Sequence, residues 1–150
     1  MGLRLTRAAD YAVRAMIHLG SLPEDGVALK DDIAEAQHIP PSFTAKILRQ
    51  LVKTGLLRSA RGVNGGFGLA REAAKINLLD IVEGIEGPIQ LNDCVPDPDH
   101  CTLSHDCPVS AVWLEVQNQM TALLRETTLE ALLAAPRKNR RAVYEIDLPS

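Results

Sequence analysis

All three cysteines of the chain, Cys94, Cys101 and Cys107, fall in one short segment, DCVPDPDHCTLSHDCP, together with His100, His105 and four aspartates. Six residues separate the first two cysteines and five the second two. Thiolates are soft ligands that select zinc or iron–sulfur clusters over hard cations. Thiols without a metal can instead form and break disulfides. The residues alone leave three chemistries open: a cluster, a zinc site completed by His100 or His105, and a redox-active thiol loop. The chain has no apolar run near the ~18 residues of a membrane span and begins MGLRLTRAADYAV, unlike a signal peptide. A cytoplasmic location is therefore expected. In a reducing compartment, cysteines act more often as ligands or redox groups than as a disulfide frame.

The elements that must carry this loop follow from hydrophobic period and punctuation. Leu5, Ala9, Ala12, Met16 and Leu19 recur at helical spacing, with Thr6 placed to cap and Gly20 to stop. A short helix over about 30–37 is followed by the Ile39-Pro40-Pro41 break. A third helix over about 41–54 has Thr44, Ile47, Leu48 and Leu51 on one face and Lys46, Arg49 and Lys53 on the other. Two short helices joined by a tight turn, the second basic on its outside, make a helix-turn-helix. Leu56 to Arg61 and Phe67 to Arg71 read as strands of a hairpin closed by Gly62-Val63-Asn64-Gly65-Gly66, which is a wing. A helix capped by Asn77 precedes the cysteines. A long helix over about 108–126 follows them, with a stripe of Val109, Val112, Trp113, Val116, Met120, Leu123 and Leu124 wide enough to bury against a partner. Thr127 and Glu130 then read as a capping box that restarts a helix up to Ala135, before Pro136.

Charge divides the chain. Residues 1–75 carry 11 basic and 7 acidic side chains, and residues 76–150 carry 5 and 12. No acid occurs between Ala36 and Arg71, and no lysine or arginine between Ile76 and Leu124. A basic, acid-free segment spanning a helix-turn-helix and wing is the footprint of a phosphate-binding surface. The sequence holds no paired catalytic carboxylates on a helix and no Ser/His constellation. The NGG turn sits in a hairpin rather than before a helix, so it is no nucleotide loop. An enzyme is not expected.

The segments LTRAADYAVRAM, KILRQLVKTGLL and RGVNGGFGLA, and a three-cysteine loop before a helix ending TTLEALL, together resemble the Rrf-type winged-helix regulators, the family that includes IscR, NsrR and RirA. The resemblance runs from about Leu3 to Leu133. It implies a homodimeric, DNA-binding transcription regulator, most often a repressor. It further implies long C-terminal helices crossing between subunits and, in many members, an iron–sulfur cluster held by three loop cysteines, here Cys94, Cys101 and Cys107. IscR-like members supply a histidine three residues after the third cysteine, where this chain has Ser110. NsrR-like members complete a 4Fe–4S site with an aspartate from the first helix of the other subunit, and the matching residue here is Asp10. That favours 4Fe–4S over 2Fe–2S and a sensor of nitric oxide, iron or redox state.

The expected architecture is thus mainly α with a small β-hairpin: a winged helix-turn-helix over 1–75, a cysteine loop with dimerisation helices over 76–135, and a mobile tail over 136–150. Expected DNA contacts are Ser42, Phe43, Thr44, Lys46 and Arg49 on the third helix, Arg61, Gly62 and Asn64 in the wing, and Arg4 and Arg7 on phosphate. The operator of a symmetric dimer should be pseudo-palindromic double-stranded DNA.

Overall fold

The computed structural model describes residues 5–95, 97–103 and 105–136. Arg4 and the expected tail beyond Pro136 lie outside the described residues. Six helices and one hairpin follow in the order α1 (Arg7–Gly20), α2 (Lys30–Gln37), α3 (Pro41–Lys53), β1 (Leu57–Ala60), β2 (Gly66–Leu69), α4 (Leu78–Glu86), α5 (Ser110–Glu126) and α6 (Leu129–Ala134). Single 3-10 turns at Ala73–Lys75 and Pro98–His100 had no signal in the sequence.

The helix ends show why the chain breaks where it does. Thr6 is extended, and its hydroxyl accepts from the Ala9 N–H, a cap worth about 1 kcal/mol. Between α2 and α3, His38 adopts the left-handed conformation at φ 52°. The Ile39 N–H then returns to the Ala34 carbonyl at 2.9 Å. Pro40 is extended and Pro41 opens α3, where its missing N–H removes one of the unpaired donors of the first turn. Thr44, Ile47, Leu48 and Leu51 are the buried face of α3, as their spacing predicts. At its far end Gly55, at φ 75°, lets the chain reverse, and the Leu56 N–H caps Leu51 O at 3.0 Å.

The hairpin pairs Leu57 with Leu69 and Ala60 with Gly66. Its outer edge is not open. Ala28, in the loop before α2, exchanges both backbone hydrogen bonds with Phe67, at 2.9 and 3.0 Å. A Cβ on Gly66 would lie 2.5 Å from the Ala28 carbonyl oxygen. The glycine at this position is therefore a packing requirement as well as a turn residue.

One apolar cluster gathers α1, α3 and the hairpin around Met16, Leu48, Leu51 and Leu56. Ile76, Ile81 and Leu129 belong to the same cluster, so α4 and α6 contribute to the core of the helix-turn-helix and wing. The chain leaves that core after α4, forms the cysteine loop and the 17 residues of α5, and returns at Thr127. The return is stitched by Leu78 N–H to Thr127 O at 2.8 Å and Leu129 N–H to Ile76 O at 2.7 Å. The cap of α6 is Thr128, whose hydroxyl accepts from the Ala131 N–H. Thr127, expected in that role, instead closes α5, donating its hydroxyl to Leu123 O at 2.8 Å. Helix α5 begins at Ser110, two residues later than expected, because Pro108 and Val109 remain in a turn.

Because Leu129 is fully buried, Leu129→Ala should destabilise the whole unit by roughly 2–5 kcal/mol in urea unfolding, the range for deleting a core leucine. A change below about 0.5 kcal/mol, typical of surface sites, would show that α6 is not part of the core.

Candidate nucleic-acid interface and cysteine loop

Helix α3 presents Ser42, Lys46 and Arg49 to solvent, while its apolar stripe holds it against α1. Thr44, expected among the DNA contacts, is 1% exposed, and its hydroxyl donates to Pro40 O at 3.1 Å. It belongs to the buried face and secures the first turn of the helix. Phe43 is 42% exposed and meets Tyr11 of α1 edge-on, with ring centroids 5.6 Å apart. Tyr11 in turn lies under the Arg14 guanidinium at 5.1 Å. Arg7 is exposed at the start of α1.

In the wing, Arg61, Gly62, Val63 and Asn64 are all exposed, and the Gly65 N–H closes the loop on Gly62 O at 3.0 Å. Gly62 has φ 99°, a conformation only glycine adopts readily. Two further arginines of the basic segment have structural partners. Arg58 donates to Leu69 O at 3.2 Å and to Asp25 O at 2.7 Å. Arg71 donates to Gly55 O at 3.3 Å and lies 3.8 Å from the Asp80 carboxylate. Among the described residues of this segment, the outward-facing cations without such partners are thus Lys46, Arg49, Lys53 and Arg61, although Arg49 also touches Ala45 O in its own helix at 3.2 Å.

The cysteine loop is tethered at its start. The Ile89 N–H donates to the Glu83 carboxylate at 3.2 Å, and the Leu91 N–H to the Gln117 side chain at 3.1 Å. The Asn92 amide, oriented by its hydrogen bonds, accepts from Trp113 Nε1 at 3.2 Å. Beside this strap the Thr6 N–H donates to Glu86 at 2.8 Å, joining the start of α1 to the end of α4. Cys94, Cys101 and Cys107 are free thiols, each half-buried. His100 and His105 are exposed, His105 lying 3.5 Å from Asp99. Ser110 donates its hydroxyl to Cys107 O at 3.0 Å. Three reachable thiols suit a thiolate-ligated group in their donor chemistry. Among the described residues, however, no three cysteine, histidine or carboxylate side chains converge on a metal position. Asp10 is held by Arg14, which donates to its carboxylate from Nε at 3.1 Å and also from Nη2. The same guanidinium donates to Gln37 O, at the end of α2, at 3.1 Å.

Helix α5 has no buried residue. Val109, Val112, Trp113, Val116 and Leu123 of the expected stripe are exposed, as is Leu114 beside it. Met120 and Leu124 are half-buried and line a hollow with Leu5 and the 86–91 strap. No helix of the described residues is long and apolar enough to cross a membrane.

Comparison with known proteins accounts for this architecture. The profile of the Rrf2 family, described as an iron-dependent transcriptional regulator, matches residues 5–135. A protein of Mycobacterium tuberculosis strain H37Rv, Rv1287, named as an HTH-type transcriptional regulator, is 38% identical over 130 residues, covering 85% of this chain and 79% of its own. The structure of CymR, the global cysteine regulator of B. subtilis, superposes with a TM-score of 0.73 at 25% identity, covering 88% of this chain and 97% of that one. T. potens IscR superposes at 0.71 with 26% identity, covering 95% and 98%. The winged helix-turn-helix, the exposed cations and the profile match agree: the chain belongs to the Rrf2 family of DNA-binding transcriptional regulators and is not an enzyme.

Proposed function

We propose that the chain is a homodimeric, sequence-specific repressor of pseudo-palindromic operators in the cytoplasm, controlled through an iron–sulfur cluster that senses nitric oxide, iron or redox state. Residues 1–75 read DNA, and residues 76–135 sense and dimerise. The observation that carries this reading is the path of α5. The helix leaves the DNA-binding core through the cysteine loop and returns to it at Leu129, while Val109, Val112, Val116 and Leu123 of its apolar face stay exposed among the described residues. A contiguous apolar helix face of this size is what a second copy covers in a symmetric dimer. A change in the loop then bears on both the dimer contact and the helix-turn-helix, and the spacing of two recognition helices is a strict requirement for binding two half-sites.

Cys94, Cys101, Cys107 and Asp10 of the partner subunit would hold the cluster, 4Fe–4S rather than 2Fe–2S. When bound, it supplies a clasp that oxidants or nitric oxide can open. The residues of this chain do the transmission. Asp10 is joined through Arg14 to the end of α2 and to Tyr11, and Tyr11 touches Phe43 on the recognition helix. A second reading draws on the separation of the described ligands and on the likeness to CymR. In it the cysteine loop works by zinc binding or thiol oxidation without a cluster.

Anaerobic purification followed by a visible spectrum and metal analysis separates the two. Brown protein with about four irons per subunit supports the cluster, whereas colourless protein carrying one zinc, or none, supports the second reading. Asp10→Ala should lower cluster retention and leave DNA affinity unresponsive to nitric oxide. If this variant keeps both cluster and response, Asp10 is not the fourth ligand. On DNA, Lys46→Ala should reduce the salt slope of binding by about one, the value of one phosphate contact. Arg58→Ala, whose guanidinium is committed to Leu69 and Asp25, should leave the slope unchanged. Equal slopes for wild type and Lys46→Ala in a fluorescence-anisotropy titration would remove Lys46 from the interface.

A further inference from the structure

Val63 is the most exposed large apolar residue of the described chain, at 102% of its reference surface. One exposed aliphatic side chain is ordinary on a protein surface, but its position here is not. It occupies the tip of the wing, inside a loop closed by Gly65 N–H on Gly62 O. Tight turns favour glycine, asparagine, aspartate and serine, and a β-branched residue brings the turn no benefit. Val63 also makes no contribution to the core, since its side chain meets nothing. It is nevertheless held in a defined place. The hairpin is braced by Ala28, which pairs with Phe67 of β2, and a Cβ at Gly66 would lie 2.5 Å from the Ala28 carbonyl oxygen. Val63 has Arg61 two residues before it and Asn64 directly after it, in a segment without acid from Ala36 to Arg71. The tip therefore presents an apolar point between two polar, DNA-compatible side chains, on a surface whose charge suits the narrow and strongly negative minor groove of A·T-rich DNA.

We propose that Val63 is a specificity-determining contact that packs into the minor groove beside the recognition-helix half-site and favours base pairs without an amino group on the groove floor. The guanine N2 amino group projects into that groove, whereas A·T pairs show only acceptors there. An aliphatic tip cannot accept from this amino group and would leave it desolvated and unpaired, which disfavours G·C. Apolar side chains recur in minor-groove proteins, which insert them between base steps.

The inference rests on the DNA-binding reading, and the test keeps the two apart. The full-length protein is first used to select a duplex of about 30 bp, roughly three helical turns, from a random library. If no duplex is enriched, the DNA-binding reading fails and the inference fails with it. On the selected duplex, Val63→Ser should bind about tenfold more weakly, the effect of losing one to two buried methyl groups, with an unchanged salt slope. Val63→Ile should bind within about twofold of wild type, a difference well below one buried methylene. Replacing the A·T pairs under the wing by G·C should weaken the wild type, and I·C pairs, which lack the amino group, should restore it. This discrimination should shrink in Val63→Ser. Affinity of Val63→Ser within twofold of wild type overturns the proposal. So does a loss accompanied by a shallower salt slope, which would place the effect on Arg61 and phosphate.

Discussion

Leu129 is the point on which the two halves of the chain depend. Its side chain is fully buried and its N–H donates to Ile76 O at 2.7 Å. The adjoining pair, Leu78 N–H to Thr127 O, makes a short antiparallel stitch where the chain comes back from α5. Without that stitch, α5 would be held to the core only from the strap before Cys94 and the end of α4. With it, the cysteine loop and α5 form an excursion whose two ends are fixed to the same core as the recognition helix. A displacement along α5 cannot be absorbed by a slack terminus and is passed to close-packed side chains that accommodate movement poorly.

The acidic, base-free stretch around the loop looks from its composition like a simple field of negative charge. Several of its polar groups have narrower tasks. Glu83 and Glu86 accept backbone N–H groups of Ile89 and Thr6, and Gln117 and Trp113 fix Leu91 and Asn92. Each of these bonds is worth on the order of 1 kcal/mol. Together they set where the chain stands just before Cys94. They also place the first turn of α1, and so Asp10, in fixed relation to the end of α4. Beyond Cys94 the described contacts include the turn at Asp97–Asp99 and the Ser110–Cys107 contact. The loop is therefore anchored at its entry, close to the first of the three thiols.

Helical period, prolines and glycines made α1 through α4 and the wing legible, because local rules dominate there: a cap at Thr6, a stop at Gly55, a buried i, i+3, i+4, i+7 face on α3. What was not legible depends on distant partners. The Ala28–Phe67 bridge needs two segments far apart in sequence, and Ala28 carries no pattern of its own. Ile76 and Leu129 read as parts of a C-terminal region, yet tertiary packing draws them into the first core. Thr127 and Thr128 are chemically equal candidates for a cap, and only the backbone path decides between them. Thr44 belongs to the apolar stripe and also sits at the DNA end of the helix, and burial settles which of these prevails. The cysteines announced their chemistry by type and spacing, but spacing along a loop does not determine whether three thiols meet.

Asp10 shows how magnitude can separate two roles for one carboxylate. In the single chain it is paired with Arg14, with about half of the Asp10 side chain and two-fifths of the Arg14 side chain exposed. An exposed i, i+4 pair contributes only about 0.3–0.5 kcal/mol. Arg14 does not depend on it, since Gln37 O and the Tyr11 ring also hold the guanidinium. Releasing Asp10 to another cation would thus disturb little of the fold, while Arg14 would keep its grip on the end of α2. A carboxylate held this lightly is preorganised near one position and available for another. The same arginine lies one ring contact from Phe43 on the recognition helix. That proximity is why a weak ion pair, negligible as a source of stability, is well placed as a source of coupling.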